Sequence, residues 1–234
     1  MIALVLGGMY REFDSTYKLI KDTIPQSTDI YFSTWNNSYD IFDDGVSKLE
    51  VKDEAVTEEL IHSFNKDIKC LIKDEALSGD SHYVFYHWIT AFKEFDLSNY
   101  DCVIVSRPDQ YIDYNEAYGQ FKDNNTIYGL RTGRFVASRG GINDRLLMGT
   151  YNNIKIVLNK IEASGYGGSH RLLKDTIIGS NIGLEELKGK QAMIRVNTRL
   201  LRESDKTIDN LIKKEIEYLN NNSLAVPTQY KTLI

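Results

Sequence analysis

The chain has 234 residues, of which 42% are hydrophobic and 26% are charged, and its formal net charge is −5. This composition excludes the disordered and fibrous classes, and the length is enough for one large domain with a sizeable core. The sequence contains no apolar run of membrane-spanning length. Its apolar start, MIALVLGG, follows no basic segment and is too short for the core of a signal peptide, so we expect a cytoplasmic protein (in the host cytoplasm if the chain is viral).

The first half of the chain alternates short apolar runs with helical patterns. Apolar runs that end in glycine or polar clusters are typical of buried strands, and patterns that begin at a capping residue are typical of helices. The predicted strands are 2–6, 29–33, 68–72 and Cys102–Ser106, and the predicted helices are 14–24, 58–64 and 83–95. This alternation predicts an α/β fold with a mostly parallel sheet flanked by helices.

The second half is less regular. Its predicted strands are 126–129, 135–138 and 191–199, and its predicted helices are 144–147, 152–163, 171–178 and 206–220. The last of these is amphipathic. Because the sequence has no internal repeat and no low-complexity linker, we expect a single domain over residues 1–204, with residues 205–234 forming a C-terminal helix and tail packed on it.

Three side chains of reactive type are expected to serve packing. Cys70 and Cys102 each lie inside an apolar strand-like run, which favours buried thiols over a disulfide. His87 lies in the middle of an aromatic helical pattern and is expected to be packed or half-exposed, although it is also a candidate to reach a site.

The charges are unevenly distributed along the chain. Residues 1–129 carry 11 Lys/Arg and 23 Asp/Glu, whereas residues 130–234 carry 17 Lys/Arg and 10 Asp/Glu. An acidic half and a basic half indicate a cation on one side and a polyanion on the other. Two differently solvated faces would give the same pattern, so both interpretations stay open.

Candidate ligand-binding residues follow the first two predicted strands. In an open α/β sheet, ligands bind beyond the carboxyl ends of the strands. Gly7 and Gly8 allow a ligand to approach the backbone, and Arg11 can pair with a phosphate. The second strand is followed by a tryptophan between hydrogen-bonding side chains, which suits a base or sugar but also suits a loop anchor; the segment is Thr34-Trp35-Asn36.

A carboxylate follows the most hydrophobic strand. Asp109 lies in the segment Ser106-Arg107-Pro108-Asp109, and an acidic side chain at the end of a buried strand is costly unless it binds something. Mg²⁺ and Mn²⁺ prefer carboxylate oxygens together with substrate phosphates, and such an ion would neutralise a diphosphate leaving group. The alternative is an ion pair between Arg107 and Asp109 that fixes the turn.

A second carboxylate follows a glycine pair. Asp144, in the segment Gly140-Gly141-Ile142-Asn143-Asp144-Arg145, is a candidate general base for an acceptor hydroxyl. It would equally suit the first turn of a helix, where the helix dipole stabilises a negative charge.

Together these segments resemble a family of small glycosyltransferases from bacterial and viral polysaccharide-synthesis loci, which are related to the GT-A nucleotide-diphospho-sugar transferases. The similarity is scattered between residues 2 and 184. It lies in a Gly-x-x-Arg-x-Phe pattern, a Thr-Trp-Asn signature, an aromatic helix and an Arg-Pro-Asp strand end, which here are Gly8 to Phe13, Thr34 to Asn36, Tyr83 with Trp88 and Ala91, and Arg107 to Asp109. The chain departs from the family pattern at Val105, Arg145 and His170, where arginine, glutamine and glutamate are usual.

The resemblance implies a GT-A-like (Rossmann-like) domain that binds a nucleotide-sugar donor with a divalent metal, Mn²⁺ or Mg²⁺, on Asp109. Asp109 and Asp144 are then the catalytic candidates. The residues near the nucleotide would be Gly7, Gly8, Arg11, Thr34, Trp35, Asn36 and Arg107.

The acceptor is a glycan in that family, but the basic half of the chain also suits a nucleic acid. The candidate acceptor- or phosphate-binding residues are Arg131, Arg134, Arg139, Arg145 and His170. A viral (phage) enzyme acting on a hydroxymethylated DNA base would need such a surface, together with a flipped base. A third hypothesis is a non-catalytic protein that binds a nucleotide sugar without turnover.

Overall fold

The computed structural model describes residues 1–10, 13–42, 48–74, 83–122, 124–131, 142–165, 170–188, 191–193 and 208–221. Its strands, in chain order, are β1 (Ile2–Gly7), β2 (Thr28–Trp35), β3 (Asn37–Phe42), β4 (Lys48–Ala55), β5 (Lys69–Lys73), β6 (Cys102–Ser106), β7 (Gln110–Ile112), β8 (Thr126–Arg131), β9 (Ile142–Gly149), β10 (Gly183–Glu186) and β11 (Gln191–Met193). Its helices are α1 (Phe13–Ile20), α2 (Glu58–His62), α3 (Tyr83–Glu94), α4 (Tyr114–Tyr118), α5 (Tyr151–Ala163), α6 (His170–Ile178) and α7 (Ile208–Asn221), and a 3-10 turn (Lys21–Thr23) follows α1.

Seven strands form one central sheet in the order β10-β8-β9-β6-β1-β2-β5. β1 pairs in parallel with both β2 and β6, β2 with β5, and β8 with β10. β9 runs antiparallel to its two neighbours, β6 and β8. The mostly parallel sheet predicted from the sequence is therefore confirmed. The strand order changes direction between β1 and β6, which is the place where open α/β sheets bind ligands.

The two faces of the sheet bury separate hydrophobic clusters, because successive side chains of a strand point to opposite faces. On β1, Leu4 and Leu6 belong to the cluster that also contains Phe13 of α1 and Ile212 of α7. Ala3 and Val5 belong to the other cluster, which contains residues of α3, α5 and α6. Burying one such aliphatic side chain stabilises the fold by roughly 1.5–3 kcal/mol. The two clusters therefore stabilise the packing of both helical layers on the sheet.

Most of the predicted elements are present, and two helices begin at a threonine cap. The Thr57 side chain accepts a hydrogen bond from the Leu60 amide at 3.2 Å, as predicted for α2. Thr150 does the same for α5 through the Asn153 amide. Among the residues that the structure describes, no helix has the length and apolar character needed to cross a membrane.

The helix predicted at 144–147 is wrong. These residues lie in β9, where Leu146 pairs with Ser106 of β6 and Leu147 with Val105. Leu146, Leu147 and Met148 are all fully buried. A short run that is apolar on both faces has no helical or alternating period, so its type cannot be predicted from periodicity.

Four further strands were missed, namely β3, β4, β7 and β10. β3 and β4 form an antiparallel hairpin rich in polar residues, and β10 is an edge strand with the sequence GLEE, so neither shows an apolar run. The predicted strand at 135–138 lies outside the described residues. Of the strand predicted at 191–199, the described part is β11, which pairs with β7.

Candidate functional site

The carboxyl ends of β1, β2 and β6 meet at one edge of the sheet, which we call the carboxyl edge. Leu6 pairs with Ser106, and Gly7 pairs with Ser33, so Gly7, Ser33 and Arg107 occupy the same level at the ends of three adjacent strands, and Thr34 comes one residue later. β9 enters the sheet at this edge because it is antiparallel to β6. The sequence segments predicted to carry the chemistry are thus brought together by the topology.

The two glycines after β1 have different structural requirements. A Cβ on Gly7 would lie 2.4 Å from Cδ1 and 2.9 Å from Nε1 of Trp88, so α3 packs directly on the backbone here. Gly8 has φ of 140°, a conformation that L side chains rarely adopt. Its amide donates a hydrogen bond to the Ser33 carbonyl at 3.1 Å. This backbone turn therefore needs glycine at both positions.

The end of β6 is fixed by hydrogen bonds from three directions. The indole Nε1 of Trp88 donates to the Ser106 carbonyl at 3.2 Å, and the Tyr114 hydroxyl donates to Ser106 Oγ at 3.0 Å. The Ser106 hydroxyl donates in turn to the Arg145 carbonyl at 3.2 Å, and the Arg107 amide donates to the same carbonyl at 3.2 Å. The backbone that carries Arg107 is consequently held by α3, α4 and β9.

We expect Tyr114→Phe to lower the free energy of unfolding by about 1 kcal/mol, because the substitution removes one buried hydrogen bond and little packing. Tyr114 is fully buried, and burial raises the pKa of its hydroxyl. Urea denaturation measures the effect. Tyr118→Phe, on the same helix but only half-buried, is the control. Equal stability of the two variants would contradict a contribution from the Tyr114 hydrogen bond.

Arg107 and Asp109 form a bidentate ion pair. Nε and Nη2 of Arg107 donate to Oδ1 and Oδ2 of Asp109, each at 2.8 Å, and Gln110 Nε2 lies 3.4 Å from Oδ1. The side chain of Asp109 is 3% exposed and that of Arg107 is 14% exposed. The ion pair considered in the sequence analysis is therefore present. The next carboxylate, Asp113, caps α4 by accepting from the Glu116 amide at 2.9 Å.

The residues after β2 form an aromatic cluster with α3. Trp35 is fully buried, and Tyr86 stacks on its ring at 4.9 Å between centroids. Of the two rings, Tyr86 is the one that is partly exposed. Trp35 therefore has the placement of a loop anchor. Asn36, beside it, donates through Nδ2 to Asp74 at 2.8 Å.

His87 is fully buried against the carboxyl end of β2. Its Nδ1 is hydrogen-bonded to Ser33 Oγ at 2.9 Å, and its ring meets the Trp35 ring edge-on at 4.5 Å. Burial lowers the pKa of the imidazole to about 3. Sequence analysis missed the link between His87 and Ser33, since nothing in the spacing of these two residues indicates that α3 lies over β2.

The remaining predicted site residues are only partly described. Asp144 lies in β9 near the carboxyl edge and is not in the first turn of a helix, so that alternative is wrong. Its side chain, and those of Arg131 in β8 and His170 in α6, are outside the described part. Arg145 is partly exposed. Arg11, Arg134 and Arg139 lie outside the described residues.

The described residues contain no cluster of metal ligands, and both thiols are at least partly buried. Within the described residues there is no group of three or more His, Cys, Asp or Glu side chains that could hold a metal ion. Cys70 is a half-buried free thiol and Cys102 a fully buried one. Burial raises the pKa of each thiol to about 12, which agrees with the predicted packing role.

Comparison with known proteins supports the fold. No protein-family model matches the sequence, and no curated protein matches it. An active-site mutant of LgtC superposes with a TM-score of 0.50 at 9% identity, covering 100% of both chains. The glycosyltransferase GlyE of Streptococcus pneumoniae TIGR4 gives 0.44 at 12% identity, covering 79% of this chain, which spans only 44% of the length of GlyE. Mouse xyloside xylosyltransferase 1 gives 0.43 at 10% identity, with 80% and 86% covered. The predicted GT-A-like α/β architecture is thus confirmed, by the observed sheet and by the full-length similarity to LgtC.

Proposed function

We propose that this chain is a glycosyltransferase that moves a sugar from a nucleotide-diphospho-sugar to an acceptor hydroxyl. The observation that carries the proposal is the convergence of the Gly7-Gly8 turn and the Arg107–Asp109 pair at the topological switch point between β1 and β6. The fold is similar to that of the galactosyltransferase LgtC over the full chain, which supports this class of reaction.

The donor would lie along the carboxyl edge. Gly8, which has no side chain, would let a nucleotide approach the backbone just after β1, and Arg107 offers a cation to the diphosphate beside it. Thr34 and Trp35 are the last two residues of β2 and are both fully buried, so of this segment only the partly exposed Asn36 is placed to contact a donor. Arg11 completes the donor-binding set expected from the resemblance.

The reaction breaks the bond between the anomeric carbon and the diphosphate oxygen, and the electron pair leaves with the diphosphate. The acceptor oxygen forms the new bond to the anomeric carbon and gives up its proton to a base. The transition state has oxocarbenium character, as in other glycosyl transfers. We propose Asp144 as the base, because β9 brings its backbone to the same edge as Arg107.

The divalent metal expected on Asp109 does not fit the residues described. Both carboxylate oxygens are taken by the Arg107 guanidinium at 2.8 Å. A divalent ion there would have to displace a charge-assisted, bidentate partner or bind next to its positive charge. Mn²⁺ or Mg²⁺ would also need several oxygen ligands or waters around it, and Asp109 is 2% exposed. We therefore derive no step through a metal ion.

Incubation with a panel of nucleotide sugars tests the proposal. We expect one of them to raise the melting temperature and to be hydrolysed slowly to the nucleoside diphosphate, since a ligand that binds only the folded state stabilises it. Asp144→Asn should lose hydrolysis and keep the thermal shift. Asp67→Asn, at an exposed turn, is the control and should behave like the wild type. A panel that gives neither shift nor release contradicts the function, and a shift without release indicates a non-catalytic binding protein.

For the acceptor we propose a glycan, with a hydroxymethylated DNA base as the alternative. The basic second half of the chain carries the alternative, and Arg131 and Arg145 occupy strand positions near the carboxyl edge. A gel-shift titration at two salt concentrations separates the acceptors, because DNA affinity that depends on phosphate contacts falls steeply with salt. With a glycan acceptor we expect no shift of duplex DNA at either concentration. Arg199 and Arg202 belong to the basic half, lie outside the described residues and are far in sequence from every donor motif. A salt-sensitive shift that Arg199→Glu with Arg202→Glu removes, without loss of donor hydrolysis, would favour DNA.

A further inference from the structure

We infer that Arg107 is the cation that binds the donor's diphosphate, and that Asp109 is the positioning carboxylate that holds it, so that donor binding does not depend on a divalent metal. This inference rests on the proposed function. It assigns to a guanidinium the role that the sequence had assigned to a metal ion on Asp109.

Within the ion pair, the arginine is the more exposed member. The side chain of Asp109 is 3% exposed, whereas that of Arg107 is 14% exposed. A ligand that arrives from solvent at the carboxyl edge would therefore meet the positive member of the pair before the negative one. That order suits an anionic ligand and is unfavourable for a cation.

The guanidinium of Arg107 is held in one orientation. Two of its N–H groups are fixed on Asp109 at 2.8 Å each, and Gln110 Nε2 lies 3.4 Å from the same carboxylate. The Arg107 amide is held by the Arg145 carbonyl at 3.2 Å. An arginine that is already oriented loses less side-chain entropy when it binds a phosphate, and its planar fork matches phosphate oxygens.

Arg107 lies beside the glycine turn that follows β1. Ser106 pairs with Leu6, so Arg107 follows β6 at the level at which Gly7 ends β1. The conformation of Gly8, with φ of 140°, bends the chain at this point. A diphosphate at the switch point would lie between these two strand ends, within the region that Arg107 borders.

The test measures binding separately from turnover. We would titrate the wild type with UDP, GDP, CDP and ADP, and with the corresponding nucleosides, by isothermal calorimetry in EDTA and again in Mn²⁺. We expect the nucleoside diphosphate that binds to have the same Kd within about twofold in EDTA and in Mn²⁺. Arg107→Gln should weaken it at least tenfold and Arg107→Lys less, because a lysine keeps the charge but not the fork. Binding of the matching nucleoside should be unchanged in both variants.

Two control variants separate the loss of the Arg107 charge from loss of the fold and from loss of any other positive charge. The double variant Arg107→Gln with Asp109→Asn removes both charges, so it leaves no unpaired carboxylate, and it should bind the diphosphate as weakly as Arg107→Gln. Lys69→Gln removes a cation from an ion pair with Asp29 at the amino ends of β2 and β5, which is the opposite edge of the sheet. This variant should bind the diphosphate like the wild type.

Each outcome bears on the inference. A diphosphate that binds tightly only with Mn²⁺, together with Mn²⁺ binding seen by electron paramagnetic resonance that Asp109→Asn abolishes, would overturn the inference and leave the glycosyltransferase proposal standing. Diphosphate binding that Arg107→Gln does not weaken would also overturn it. If neither diphosphates nor nucleosides bind under any condition, the proposed function fails and this inference falls with it.

Discussion

Gly7→Ala is expected to lower the free energy of unfolding by about 3 kcal/mol or more, which is the upper part of the range for overpacking a well-filled core. The added methyl group would lie 2.4 Å from Cδ1 of Trp88 and 3.2 Å from Cβ of His87. Trp88 is fully buried and its indole nitrogen donates to the Ser106 carbonyl, so the ring cannot move without loss of that hydrogen bond. For a chain of this size the melting temperature should fall by roughly 6–12 °C.

Thermal and urea denaturation of Gly7→Ala beside Gly119→Ala would measure this effect. Gly119 ends α4 with φ of −59°, and its nearest neighbour would lie 3.4 Å from an added Cβ. Alanine is therefore tolerated there, and we expect a change of at most about 1 kcal/mol in either direction. If the two alanine variants unfold together, α3 does not pack on the end of β1 as described.

Stability is expected to fall below pH 6.5 because of His87. The pKa of its buried imidazole is lowered from 6.5 to about 3, so in this interval the unfolded chain binds a proton that the folded chain does not. The contribution of His87 is fully present above pH 6.5 and is lost as the pH falls toward 3. The slope is about 1.4 kcal/mol per pH unit, which amounts to roughly 4–5 kcal/mol over the whole interval. Among the described residues, the hydrogen-bond and aromatic partners of the ring are the Ser33 hydroxyl and the Trp35 and Tyr86 rings, which are uncharged in this range.

Urea denaturation of wild type and His87→Gln at pH 7 and pH 5 isolates this contribution. Glutamine does not titrate, so the variant should lose about 2 kcal/mol less than the wild type between the two pH values. Ser33→Ala is the matched control, because it removes the hydrogen bond but leaves the imidazole buried, and it should keep the wild-type pH dependence. Parallel pH profiles for wild type and His87→Gln would show that the imidazole is not held neutral in the fold.

The elements of the first half of the sheet were predictable because each is a simple local pattern. Residues 2–6 and Cys102–Ser106 are β-branched and aliphatic runs that end in a glycine pair or a polar segment, and Thr57 is a cap at the start of a helical pattern. β9 was mistaken for a helix, since Leu146, Leu147 and Met148 are buried on both faces of the sheet and show no period. The β3–β4 hairpin has polar strands, and its pairing depends on tertiary structure rather than on local propensity.

The candidate site was predictable in its location but not in its contacts. Because ligands lie beyond the carboxyl ends of strands, the sequence alone predicts that Gly7, Thr34 and Arg107 lie at one edge of the sheet. Sequence spacing does not show whether Asp109 faces solvent or a neighbouring guanidinium, so the metal site was expected there while the ion pair remained an alternative. The hydrogen bonds that hold Ser106, from Trp88 and Tyr114, join residues 18 and 8 positions apart and depend on how α3 and α4 pack.

The two cysteines make this protein convenient for fluorescence work. With a pKa of about 12, each thiol is ionised in only about one molecule in 10⁵ at pH 7, and the thiolate is the species that reacts with maleimide dyes. A cysteine introduced at an exposed position such as Ile178, which is 53% exposed, should therefore be labelled in the wild-type background with little reaction at Cys70 or Cys102. One label on α6 and a second on α1 or α7, which pack on the opposite face of the sheet, would report a distance across the sheet. The native thiols would not have to be removed first.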